Sequence, residues 1–375
     1  MGALREFKVL KHMAAWSRFY RRGLAALVFI MAAVAGPALA APVQSTGAKP
    51  IEVRVVIVTT WEVFDKGRDV AGELHAWLTR WPFTKALPFA VGEHALEYDP
   101  KRHVLVILTG MATARAASQI MALGTDPRFN LSHAYWIVAG TAGVDPKTAS
   151  VGSAAWARWV VDGDLTQEID PRDMPAGWPT GIVPYGRTTP YQAPAPDGHM
   201  DDGNIVYALN PKLVDWAYAQ TKDVKLPDDA VIGALRAPYA GPGGQPPFVL
   251  EGDALMSARF WYGDHLNDWA ERWVPYWTGG KGVFVMSAEE DTGIMQALTY
   301  LAKGGRADLN RVLILRAASD YTLAPPGMSA ADFMVKESQD NFPGTPAALD
   351  SLYRVAAPVA QALADHWSQT RDAPP

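Results

Sequence analysis

The chain has 375 residues, with 34 Lys and Arg against 39 Asp and Glu, a formal net charge of −5 and no cysteine. Without cysteine there is no disulfide, no thiolate metal site and no cysteine nucleophile. A mildly acidic chain with no Lys/Arg-rich run beyond its N-terminal segment excludes nucleic acid or an anionic membrane surface as a main partner.

Residues 1–40 read as a processing segment. Arg5, Lys8, Lys11, Arg18, Arg21 and Arg22 make a basic start, Leu24 to Ala35 is apolar, and Ala38-Leu39-Ala40 is a small-residue cleavage site. The apolar stretch falls short of the roughly 20 residues that a spanning helix needs. The expectation is therefore an exported protein, periplasmic or secreted, whose mature form begins at Ala41. Later apolar runs are only strand-sized, so no membrane insertion is expected after cleavage.

Residues 41–375 are expected to form a single domain. Val53 to Thr60 is a β-branched run that predicts a first buried strand, with Thr59-Thr60-Trp61-Glu62 at its carboxyl end. Val70, Leu74, Trp77 and Leu78 have helical spacing over 69–81, which Pro82 ends. Val104 to Thr109 predicts a second strand stopping at Gly110, followed by an alanine-rich helix from Thr113 to Leu123. Tyr135 to Ala139 predicts a third strand, closed by Gly140-Thr141-Ala142-Gly143. This rhythm of strand, glycine turn and helix is an α/β signature, and right-handed crossovers bring the turns to one rim of the sheet.

Val151 to Val161 reads as a further strand or hairpin pair. Residues 162–200 are rich in Pro, Gly and Asp, without periodicity, and predict a long loop insertion. Asn210 to Thr221 is helical with Pro211 near its start, Val231 to Arg236 reads as a strand, and 241–247 as a loop. Aromatics from Phe260 to Trp277 fit either a ligand wall or a core at helical spacing. Arg311 to Asp320 opens with four apolar residues before Arg316 and predicts a buried parallel strand, and Ala347 to Trp367 a closing helix. The expected class is a three-layer α/β domain with a mixed, largely parallel central sheet.

The eight histidines include no zinc-protease pair, there is no G-x-S-x-G elbow, and Gly279-Gly280-Lys281 lacks the rest of a phosphate loop. No metal or organic cofactor is implied. What remains is carboxylates at strand ends. Glu290, in the cluster Glu289-Glu290-Asp291, can accept from two adjacent sugar hydroxyls at once. Glu289 and Asp291 alone read as helix-start charges. Asp320, after Ser319 at the end of a buried strand, is placed for a raised pKa and for proton donation to a leaving group. Arg316 within that strand requires a carboxylate partner, and Glu62 is a third carboxylate at the rim.

Thr109-Gly110-Met111-Ala112, Val138 to Val144, Asp162-Gly163-Asp164, Leu209 to Leu213, Gly252-Asp253, Glu289 to Gly293 and Arg316-Ala317-Ala318-Ser319-Asp320, in that order, resemble the purine nucleoside permease family. That family is similar in turn to the nucleoside phosphorylase and nucleosidase superfamily. The resemblance implies a nucleoside phosphorylase-like fold in which Glu290 holds the ribose and Asp320 protonates the purine at N7. Glu289, Ser319, Gly140, Thr141 and Ala142 would border sugar and base. Leu255 and Met256 replace the superfamily's aromatic after Gly-Asp, so Phe260 or Trp261 would stack on the base. An acid, Glu62, stands where phosphorylases carry a phosphate-holding loop, which implies water activated by Glu62, with Arg68 or Arg115 left as phosphate contacts for the alternative. The expected function is cleavage of the N-glycosidic bond of a purine nucleoside, by hydrolysis ahead of phosphorolysis. The alternative is a nucleoside-binding or uptake component serving a membrane transporter partner, and the resemblance also implies a homo-oligomer.

Overall fold

A computed structural model describes residues 49–63, 71–193 and 205–375. The expected processing segment and Arg68 lie outside the described residues. Val55–Thr59 and Val104–Leu108 are buried at every position and run parallel to each other. Tyr135–Val144 continues the parallel set beyond Val55–Thr59, and Val312–Tyr321 lies parallel on its other side. Strands covered on both faces need unbroken apolar runs rather than alternation. Val-Val-Ile-Val and Val-Leu-Val-Ile-Leu supply them, and each such side chain contributes about 1.5–3 kcal/mol on burial.

Antiparallel neighbours extend this centre into a mixed sheet. Leu96–Asp99 and Lys85–Leu87 form one edge, and Phe284–Ala288 joins the far end of Tyr135–Val144. Asp253–Met256, Trp159–Asp162 and Val206–Ala208 follow on that side. Helix Thr345–Asp365 lies across Tyr135–Val144 and Val312–Tyr321 and meets helix Glu73–Arg80 where Trp77 packs edge-on against Tyr353, ring centroids 5.1 Å apart. Helices Thr113–Thr125 and Asp291–Lys303 pack against each other. They come close because Gly293 has no side chain: a Cβ there would lie 2.3 Å from the Thr113 carbonyl oxygen. Helices thus cover the sheet in the three-layer α/β arrangement expected.

Several elements differ from the sequence reading. Tyr135–Val144 does not stop before its glycines but runs on through them, because Val312–Tyr321 pairs with it along its whole second half. Ala154–Trp156 and Trp159–Asp162 are not a hairpin pair; one pairs with Val312–Tyr321 and the other with Asp253–Met256. Ala230–Arg236 is a helix, not a strand, since the Asp229 carboxylate accepts from the backbone N–H groups of Val231 and Ile232 and so starts a turn that β-branched residues alone disfavour. The described part of the 162–200 insertion is not all loop: Thr166–Glu168 pairs antiparallel with Ile182–Pro184.

Candidate functional site

Beyond the carboxyl ends of the parallel strands lies a cavity of about 550 Å³, the place where open α/β sheets hold ligands. Thr60 and Trp61 reach it from the first strand, Thr141, Ala142 and Gly143 from the third, and Ser319 and Asp320 from the last. Glu289 and Glu290 close it at the start of helix Asp291–Lys303, while Phe260 and Phe342 stand on its wall with ring centroids 6.0 Å apart. A wider hollow along the last long helix is lined by Arg80, Arg102 and Arg354, each already paired with Asp350 or Asp365, and none of the candidate carboxylates lines it.

Ser319 and Asp320 share one wall although they are consecutive in a strand, where side chains should alternate. The register shift between Ala318 and Asp320 explains this: Ala318 faces Ala142 and Asp320 faces Gly143, so Ser319 is the extra residue of a bulge, which re-aims the side chains beside it. Ser319 Oγ donates to Asp320 Oδ1 at 2.8 Å. Asp320 Oδ2 is buried and has no hydrogen-bond partner among the described residues. Burial pushes the carboxyl up to about 7, opposed by the Ser319 hydroxyl and reinforced by the nearby Glu337. A proton on Oδ2 is what such a site favours.

Glu290 is the residue just before helix Asp291–Lys303. Its Oε1 accepts from the Ala112 N–H at 3.2 Å and its Oε2 from Arg316 Nη2 at 2.9 Å. Ala112 holds φ at +72°, a conformation that costs an L residue about 1–3 kcal/mol and is found where a site requires it. Glu289 is half-buried on the cavity wall, and burial followed by repulsion from Glu290 pushes it up to about 7. Arg316 is 1 % exposed. Its partners are Glu290 and also Asp291, through Nε at 3.1 Å and a short Nη2 contact, with Nη1 donating to the Thr141 carbonyl. Asp291 is thus no solvated helix-start charge but a fully buried half of an ion pair.

Glu62 sits elsewhere than the sequence reading expects. Its oxygens accept from the backbone N–H groups of Val63, Gly72 and His75, so it caps the entry to helix Glu73–Arg80 and does not line the cavity. The carboxyl behind the cavity floor is Glu73. It is 2 % exposed, accepts from Thr60 N at 2.6 Å and Thr141 N at 2.7 Å, and is raised to about 7, mainly by burial, with Arg316 lowering it and Glu290 raising it. The sequence holds a signal for it: Glu73 and Trp77 are one helical turn apart, which places an acid on the buried stripe. Trp261 also departs from expectation. It packs against Phe284 and Trp269 at 6.2 and 6.3 Å, and Phe260 alone of the two faces the cavity. Gly140 lies beneath, where a Cβ would meet Arg316 Nη1 at 2.3 Å. Arg115 is not on the cavity wall.

Glu73, Glu289, Asp320 and Glu337 are all carboxyls held at about 7. A raised acid binds its proton more tightly in the folded than in the unfolded state, so stability is greatest below the ordinary carboxylate range and is lost as pH rises through 7. Thermal unfolding is expected at a higher temperature at pH 5 than at pH 8, and Glu337→Gln should narrow the gap. An unfolding temperature that rises from pH 5 to pH 8 would contradict these assignments.

A mixed sheet under covering helices, with a cavity beyond its parallel strand ends, has the nucleoside phosphorylase-like α/β fold. Residues 52–373 match the purine nucleoside permease (NUP) family, and the chain belongs to that family. It is 30% identical over 276 residues to a probable purine nucleoside permease of Schizosaccharomyces pombe, covering 72% of this chain and 78% of that protein. It is 29% identical over 272 residues to a purine nucleoside permease of Candida albicans, covering 70% of this chain and 64% of the relative. Among solved structures, the 5'-methylthioadenosine/S-adenosylhomocysteine nucleosidase of S. pneumoniae with a transition-state inhibitor shares the fold at TM-score 0.50 and 14% identity, over 83% of this chain and 99% of that one.

Proposed function

We propose that this chain binds purine nucleosides in the cavity and cleaves their N-glycosidic bond with water. The observation that carries the reading is Asp320, a buried carboxyl with a raised pKa and an unpartnered oxygen, in one cavity with Glu290. Glu290 would accept from the ribose hydroxyls and face the positive charge that develops on the sugar. Asp320 would give its proton to N7 as the C1'–N9 bond breaks and its electron pair passes to the base. Water would bond to C1' and lose a proton toward Glu73 through the Thr141 hydroxyl, which lies on the cavity wall with its oxygen 3.2 Å from Glu73 Oε1. Both Glu62 and Glu73 accept backbone N–H bonds, but Glu73 suits the role because it also accepts from a hydroxyl on the cavity wall. Phe260 offers the base a stacking face.

The test is purified protein incubated with adenosine or inosine, with and without phosphate. Free base and free ribose are expected in equal amounts, independent of phosphate. Ribose 1-phosphate appearing only with phosphate would make the acceptor phosphate, and intact binding without base release would favour the second reading.

That second reading is a nucleoside-binding or uptake component, and the names of the relatives favour it. Among the described residues no helix is long and apolar enough to cross a membrane, so such a protein would capture nucleosides for a membrane transporter partner. Export to the periplasm or medium is proposed on residues 1–40 alone.

A further inference from the structure

Arg316 offers one guanidinium to two carboxylates, and its division between them is unequal. Asp291 takes the fork, with Nε on Oδ2 and Nη2 on Oδ1, whereas Glu290 takes a single bond from Nη2 to Oε2. The Thr141 carbonyl holds Nη1. Arg316, Glu290 and Asp291 are each at most 4 % exposed as residues. A two-pronged grip is the strongest arrangement a guanidinium finds, and one carboxylate suffices to satisfy it. If Asp291 were neutral, Glu290 would be the remaining carboxylate in contact with Arg316, and the fork would turn onto it. Both oxygens of Glu290 would then be drawn to the guanidinium.

We propose that Asp291 is a positioning residue: it occupies the fork of Arg316 so that Glu290 keeps an open lone pair on each oxygen for the two ribose hydroxyls. With Asp291 in place, among the described residues Oε1 has only the Ala112 N–H at 3.2 Å and Oε2 only one guanidinium N–H at 2.9 Å. Each oxygen can accept one bond more. The consequence is specific to the sugar. A free purine base, which would touch Asp320 and Phe260 but not Glu290, does not depend on Asp291. This inference rests on the nucleoside-binding reading above.

The experiment measures adenosine and adenine affinities by calorimetry for the wild-type protein and for Asp291→Asn, Asp291→Ser and Asp291→Glu. The neutral variants are expected to lose about 10- to 100-fold in adenosine affinity, the range of one charge-assisted hydrogen bond, with adenine affinity changed less than about twofold. Asp291→Glu, which restores the anion, should recover part of the adenosine affinity. Equal losses for adenosine and adenine, or no loss for either, would overturn the positioning role and leave nucleoside binding standing. Failure of both neutral variants to fold would assign Asp291 to stability alone and also overturn it. Wild-type protein that binds adenine but not adenosine, or neither, would overturn the nucleoside reading and this role with it.

Discussion

Asp320→Asn is expected to lower nucleoside turnover by about 10²- to 10⁴-fold, the usual contribution of a general acid, while adenosine affinity changes little. The amide has the shape of the carboxyl and can keep the Ser319 hydroxyl bond at Oδ1, so the bulge and the cavity wall persist. It has no acidic proton to give. Because Asp320 is a carboxyl raised to about 7 by burial, replacing it also removes a charge that the site disfavours, and the variant should unfold no earlier than wild type at pH 8. The pH profile adds an independent check. Turnover requires Asp320 protonated and Glu73 ionised, and both sit at about 7, so wild-type activity should peak near neutrality and fall on each side. In Asp320→Asn the residual activity should lose its alkaline limb and keep its acid limb. A variant with wild-type turnover would remove Asp320 from the chemistry. A wild type with no turnover and an unaltered variant affinity would point to a binding protein.

The parts of the fold that were legible in the sequence are those whose signal is local. Val55–Thr59 and Val104–Leu108 read as buried strands because five consecutive apolar or β-branched residues suit a sheet covered on both faces. The end of the last strand led to Asp320 and the acid cluster to Glu290, and the family resemblance added Thr141 and Ser319; all four line one cavity. What was not legible depends on partners distant in sequence. The glycines after Ala139 look like a turn until Val312–Tyr321 pairs with them. Asp291 looks like a helix-start charge until Arg316, 25 residues on, is folded against it. Glu62 and Glu73 are both acids that follow the first strand, and the hydrogen bonds of Thr60 and Thr141 bring the second, rather than the first, behind the cavity floor. The bulge at Ser319 leaves no mark in composition at all, since register is a property of two strands.

The largest expected effect on stability comes from Arg316→Met. Methionine matches the aliphatic stem of the arginine, so the packing of that stem is largely conserved, but the guanidinium that compensates Glu290 and Asp291 is gone. Removing one partner of a buried pair is destabilising by about 3–5 kcal/mol because the charge left behind remains desolvated, which for a domain of this size lowers the unfolding temperature by roughly 10 °C. The charge argument fixes how that loss varies. Arg316 holds the pKa of Glu73 and of Glu289 down against burial, so without it the buried carboxyls bind protons more tightly in the folded state. Their protonation relieves the repulsion, and the deficit of the variant should be large at pH 8 and shrink toward pH 5. Adding Asp291→Asn to Arg316→Met removes one of the stranded charges, so the double variant should be more stable at pH 8 than Arg316→Met alone. Such a gain is a coupling that independent sites do not show. An equal deficit at both pH values, with no recovery in the double variant, would mean that Arg316 contributes by packing rather than by charge.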